Sequence, residues 1–121
     1  MSRNPVDCCD GTNHEVAGDA TNVLRLYRMQ VRDSQQMAVY DGGVGTVPNA
    51  DRMTPWGRSV SRLFDGAMGL SMRHHFLNAY RFIVRHYQTG DRIFLIGFSR
   101  GADTARAVAR AIHMFGVLRP E

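Results

Sequence analysis

Gly97-Phe98-Ser99-Arg100-Gly101 sets one serine between two glycines in a pattern suited to acyl transfer. The pentapeptide follows Arg92-Ile93-Phe94-Leu95-Ile96, the strongest strand signal in the chain. It precedes a helical pattern built on Ala102, Ala105, Ala109, Ile112 and Phe115. Strand, serine, helix is the order in which such a pattern carries chemistry. The serine of this turn must adopt a strained backbone, and side chains two before and two after would crowd it. Gly97 and Gly101 answer that need. The turn lifts the Ser99 hydroxyl above the sheet edge, over a helix N-terminus whose free N–H groups favour a developing anion. Ser99 is therefore expected to be a catalytic nucleophile attacking an ester carbonyl. The Arg100 backbone N–H is expected to donate to the oxyanion. A second donor is expected from the Asp10-Gly11-Thr12 turn, with Gly11 and Thr12 as candidates. Such donors are each worth about 10²–10³ in rate. The competing reading makes Ser99 a helix N-cap.

A serine nucleophile needs a histidine base and an acid that orients it. Only 22 residues follow Ser99, and they include Asp103, His113 and Glu121. His113 falls roughly 21 Å along the same helix, at about 1.5 Å per residue. Asp103 sits in the first helical turn, where it complements the dipole or pairs with Arg106. His14 falls in a loop that is expected to approach the serine. His74, His75 and His86 fall on the preceding helix and read as surface residues. No metal site is expected. Cys8 and Cys9 are adjacent, lack a second cysteine pair, and read as small buried strand residues.

The elements that must position Ser99 alternate. Val6 to Cys9 reads as a strand ended by Asp10-Gly11-Thr12-Asn13. Thr21 reads as the N-cap of an amphipathic helix over 22–32, with Val23, Leu24, Tyr27 and Val31 on one face. Met37 to Tyr40 reads as a second strand. The loop after it, Asp41-Gly42-Gly43-Val44-Gly45-Thr46, does not match a dinucleotide or phosphate-loop spacing. Residues 47–65 are irregular and suit a lid or a substrate-facing loop. A helix is expected from about Gly66, with Met68, Met72, Phe76, Tyr80, Ile83 and Tyr87 as its core stripe and Gly90 as its C-cap. The apolar run 93–96 suits a central parallel strand. The whole reads as α/β, a parallel sheet of about three strands with flanking helices, forming one portion of a single domain over residues 1–121.

Composition narrows the partners. The chain has 121 residues, a formal charge of +4, and fifteen basic residues that are all arginine. The arginines form no run, so nucleic acid is not expected, and a solvated basic surface is the simpler reading. The sequence shows neither a signal-peptide pattern nor an apolar stretch of membrane-spanning length.

Several segments occur in one order: Asp10-Gly11-Thr12-Asn13, Thr21 to Tyr27, Tyr40 to Thr46, Ala79 to Phe82, Gly90-Asp91, and Gly97 to Arg106. Together they resemble the N-terminal part of the α/β-hydrolase domain of type VI secretion phospholipase effectors and their relatives. The resemblance covers nearly the whole chain. It implies a lipase-like esterase acting on phospholipids or other esters, with Ser99 as nucleophile and no cofactor. It implies membrane-surface contact, and either a missing C-terminal part or a secretion-system partner. It also implies synthesis in the cytoplasm with export by a type VI system. In that family pattern the acid and then the histidine follow the serine. The expectation is thus a fragment, truncated before both, with Ser99 idle in this chain alone. Two alternatives stand beside it: a catalytically silent fragment, and a module that binds anionic surfaces.

Overall fold

In a computed structural model, residues 2–11, 20–42 and 72–119 are described. The expectations for Thr12, His14, the glycines from Gly43 and residues 47–65 lie outside them. Among the described residues three strands alternate with three helices: β1 (Asn4–Cys9), α1 (Asn22–Met29), β2 (Gln36–Asp41), α2 (72–86), β3 (Phe94–Gly97) and α3 (Arg100–Phe115). The strands form a parallel sheet in the order β2-β1-β3.

The central strand is β1, where the sequence pointed to the apolar run of β3. β1 pairs with both neighbours, Val6 against Ala38 and Phe94, Cys9 against Asp41 and Gly97. It is buried from Pro5 onward. β3 pairs with β1 alone among the described residues, and Phe94 is exposed. An apolar run marks a strand that can be covered on both faces, but pairing decides which strand is central.

Alternation along β1 feeds two cores. On one face Cys9 packs with Ala79 and Ile83 of α2 and Val108 of α3. On the other, Val6 and Cys8 pack with Val23 of α1. Both cysteines are free and buried, as the sequence suggested. Burial raises both thiols above their ordinary range, so they pack as small apolar groups.

Thr21 caps α1 as expected, accepting from the Leu24 N–H at 3.1 Å. The helix stops three residues short of the expected end. Gln30 turns extended, and Asp33 accepts from the N–H groups of Gln35 and Gln36 to start β2. Arg32 lies outside the helix, with its guanidinium 4.6 Å from the Tyr27 ring centroid. Gly90 does not cap α2, which ends at residue 86. It takes φ +98° inside the turn closed by the Asp91 N–H on the Gln88 carbonyl. Asp91 also binds the Arg3 N–H and guanidinium. These bonds, the backbone one from Arg3 foremost, hold its carboxyl below the ordinary range. They tie the start of β1 to the entry of β3.

Candidate functional site

Ser99 joins β3 to α3 at φ 55°, ψ −125°, and is the one non-glycine residue with positive φ among the described residues. Such a backbone costs about 1–3 kcal/mol and persists only where its surroundings enforce it. Ser99 occupies the N-cap position, yet its side chain makes no capping hydrogen bond. A serine kept for capping has an extended backbone and spends its hydroxyl on the helix. Here the residue is exposed at the C-terminal end of the sheet.

Close packing enforces the turn. The Gly101 N–H donates to the Phe98 carbonyl at 2.9 Å, and the Ala102 N–H to the Ser99 carbonyl at 3.0 Å. A Cβ on Gly101 would stand 2.2 Å from the Cys9 carbonyl oxygen, and one on Gly97 would stand 2.5 Å from that of Gly101. Both contacts are with backbone, so neither can yield cheaply. The glycines let α3 start directly against the end of β1. The Arg100 N–H, first of the helix, has no backbone acceptor among the described residues.

The loop after β1 reaches the serine. A Cβ on Gly11 would meet the Ser99 Cβ at 3.0 Å and Oγ at 3.6 Å. Gly11 therefore borders Ser99, while its N–H, expected to be an oxyanion donor, donates to Asp10 Oδ1 at 2.8 Å. Asp10 is buried and collects three donors: the Gly11 N–H, the Thr21 hydroxyl and, at 2.7 Å, the Tyr40 hydroxyl. One carboxylate thus binds the β1 loop, the cap of α1 and the end of β2. Asp103 pairs with Arg106 at 4.0 Å, an exposed contact on α3.

Sequence reasoning missed His75. Read as a surface residue, it is instead largely buried, its Nδ1 2.6 Å from Asp41 Oδ2. The signal was available in topology: Asp41 ends a strand and His75 lies early in the helix that follows, so both fall at the C-terminal ends of the strands. His75, Asp41, Asp10 and Arg100 border one small pocket, with Met72 and Cys9 in its wall. His74 is exposed and bonds Asn78. His86, also read as surface, packs on Phe82 and bonds its carbonyl. His113 is exposed on α3, the helix that starts at Ser99. No group of three metal-ligating side chains stands together among the described residues.

Beneath the pocket, Asp7 is buried on the same face of β1 as Cys9. Its Oδ1 accepts from the Cys9 thiol and its Oδ2 has no partner. Burial lifts its pKa to about 6, against the lowering effect of the Cys9 bond, and the Asp41 charge adds to the rise.

The family model described as the type VI secretion (T6SS) phospholipase effector Tle1-like catalytic domain matches residues 3–121. An uncharacterised protein of Saccharomyces cerevisiae, YEL023C, is 33% identical over 124 residues, covering 96% of this chain and 18% of its own length. The chain thus spans about a fifth of the curated relative that it matches. No solved structure matches. The chain belongs to the Tle1-like phospholipase effector catalytic-domain family.

Proposed function

We propose that this chain is a portion of an α/β-hydrolase-type lipase domain in which Ser99 is the nucleophile for cleaving carboxylic esters of phospholipids or related lipids. The observation that carries the reading is Ser99 itself. It holds a strained backbone at a strand-to-helix turn, and its hydroxyl is not used as a cap. In the proposed step Ser99 Oγ attacks the carbonyl carbon and its proton leaves to a base. The Arg100 N–H stabilises the oxyanion, joined by Gly11 or Thr12. For Gly11 to donate, its N–H must leave Asp10 Oδ1.

Among the described residues no histidine is hydrogen-bonded to Ser99. We therefore expect this chain alone to turn over esters poorly or not at all. Ester hydrolysis by the 121-residue chain that is abolished by Ser99→Ala would contradict that idleness while supporting the nucleophile. Reaction with a fluorophosphonate tests the nucleophile directly, and an adduct on Ser99 is expected. No described helix is long and apolar enough to cross a membrane. Export by a type VI system and contact with a membrane surface are part of the same proposal, supported by the family's description.

A further inference from the structure

We infer that Asp10 is a positioning residue for Ser99: its carboxylate, held by the α1 cap and by β2, fixes the Gly11 backbone against the serine side chain. The inference deepens the nucleophile reading and rests on it, since a positioned hydroxyl has chemical meaning only if that hydroxyl attacks. The β1–β2 ladder ends at Asp10, whose N–H donates to the Asp41 carbonyl at 2.9 Å, just past the last pair of the register, Cys9 with Asp41. Gly11 then leaves the sheet and lies buried against Ser99. A Cβ on it would stand 3.0 Å from Ser99 Cβ, 3.2 Å from the Phe98 carbonyl oxygen and 3.6 Å from Ser99 Oγ. The Gly11 backbone is thus one wall of the space left to the serine side chain.

The Asp10 carboxylate holds that wall. Asp10 is 4% exposed. Its Oδ1 accepts from the Gly11 N–H at 2.8 Å, and its Oδ2 accepts from the Thr21 hydroxyl and, at 2.7 Å, from the Tyr40 hydroxyl. One oxygen grips the loop while the other is gripped by two elements. Hydrogen bonds to an ionised acceptor are about twice as strong as neutral ones. A buried acceptor tied from two sides cannot swing away without leaving a polar group unpaired. The Gly11 N–H is unavailable to an oxyanion while Asp10 holds it, so that bond serves as an anchor. The Ser99 side chain makes no capping bond, so contact with its neighbours, rather than its own helix, sets its rotamer. Misplacing a reacting group by about 1 Å costs on the order of 10² in rate. The role needs an acceptor in a fixed place and not a negative charge, which does nothing to help a developing oxyanion.

The test reads Ser99 in the 121-residue chain by nuclear magnetic resonance, through its Hα–Hβ couplings, and Gly11 through amide hydrogen exchange. The unaltered chain is expected to show one dominant Ser99 χ1 rotamer and a protected Gly11 amide. Asp10→Ala is expected to average the couplings and to speed Gly11 exchange at least about tenfold, with folding checked by circular dichroism. Asp10→Asn keeps an acceptor for Gly11 and presents an amide to the two hydroxyl oxygens, so it should restore both readings. Tyr40→Phe leaves the Gly11 bond in place and should give a smaller change of the same kind; it carries the comparison if Asp10→Ala does not fold. Asp91→Ala loosens the opposite end of the sheet, where Asp91 binds Arg3, and should leave Ser99 and Gly11 unchanged. Fluorophosphonate labelling of the folded variants should follow the same order, at least about tenfold slower in Asp10→Ala and no slower in Asp10→Asn. Averaged couplings in the unaltered chain, couplings that no folded Asp10 or Tyr40 variant changes, or an equal disturbance in Asp91→Ala overturns the inference. So does a broadened rotamer distribution with labelling unchanged. A single-rotamer Ser99 that never reacts overturns the nucleophile reading instead, so the two failures are distinct.

Discussion

Asp7 shows at the residue scale how the sheet beneath the site is loaded. A carboxyl with one weak thiol donor and one unpaired oxygen, held in the middle strand, is costlier to ionise than in water. Its folded pKa is about 6, against 3.8 without the fold. The folded state therefore binds the extra proton between those values. The stability it contributes is full below about pH 4 and is lost as pH rises through about 6. The difference corresponds to up to about 3 kcal/mol. Asp7→Asn is expected to raise the melting temperature at pH 8 and to change it little at pH 4. Thermal melts at the two pH values check this, and an equal shift at both would contradict it. Ser99 carries the opposite kind of tension. Its strain is in the backbone and is held by neighbours, so Ser99→Ala should leave stability nearly unchanged, within about 0.5 kcal/mol.

At the scale of elements, the site depends on how closely α3 starts against β1. Gly101→Ala drives a Cβ into the Cys9 carbonyl and should cost about 3 kcal/mol or more, since the helix must shift bodily. Gly90→Ala meets open space and should cost only about 1 kcal/mol, for its positive φ. Denaturant unfolding of the two variants separates close approach from backbone conformation. Thr21→Ala removes both the α1 cap and a donor to Asp10 and should cost about 1–2 kcal/mol, with Thr21→Ser recovering most of it. The helix over 100–115, the Thr21 cap and the serine turn were legible because each has a local cause: alanine periodicity, a side-chain cap, paired glycines. Three features were not. The end of α1 depends on the Asp33 turn, and the rank of β1 over β3 on pairing. The burial of His75 depends on β2 and α2 meeting at the sheet edge. None of these has a short-range signature.

Among the described residues several large apolar side chains lie exposed. Phe94 on β3, Phe98 beside the serine, and Met114, Phe115 and Leu118 at the end of α3 all reach solvent. β3 has one strand partner among the described residues, and an apolar edge of this kind invites association. The chain is expected to sediment in a concentration-dependent way, and Phe115→Ser should weaken that association; a monomer at all concentrations would contradict it. Against that background the central claim remains that Ser99 is a nucleophile. Intact-mass measurement after exposure to a fluorophosphonate, followed by peptide mapping, tests it most directly. The account predicts a single adduct on Ser99, absent in Ser99→Ala. It also predicts slow formation that accelerates steadily with pH, hydroxide acting as the base, since among the described residues no histidine is hydrogen-bonded to Ser99. No adduct, or one that persists in Ser99→Ala, would contradict it.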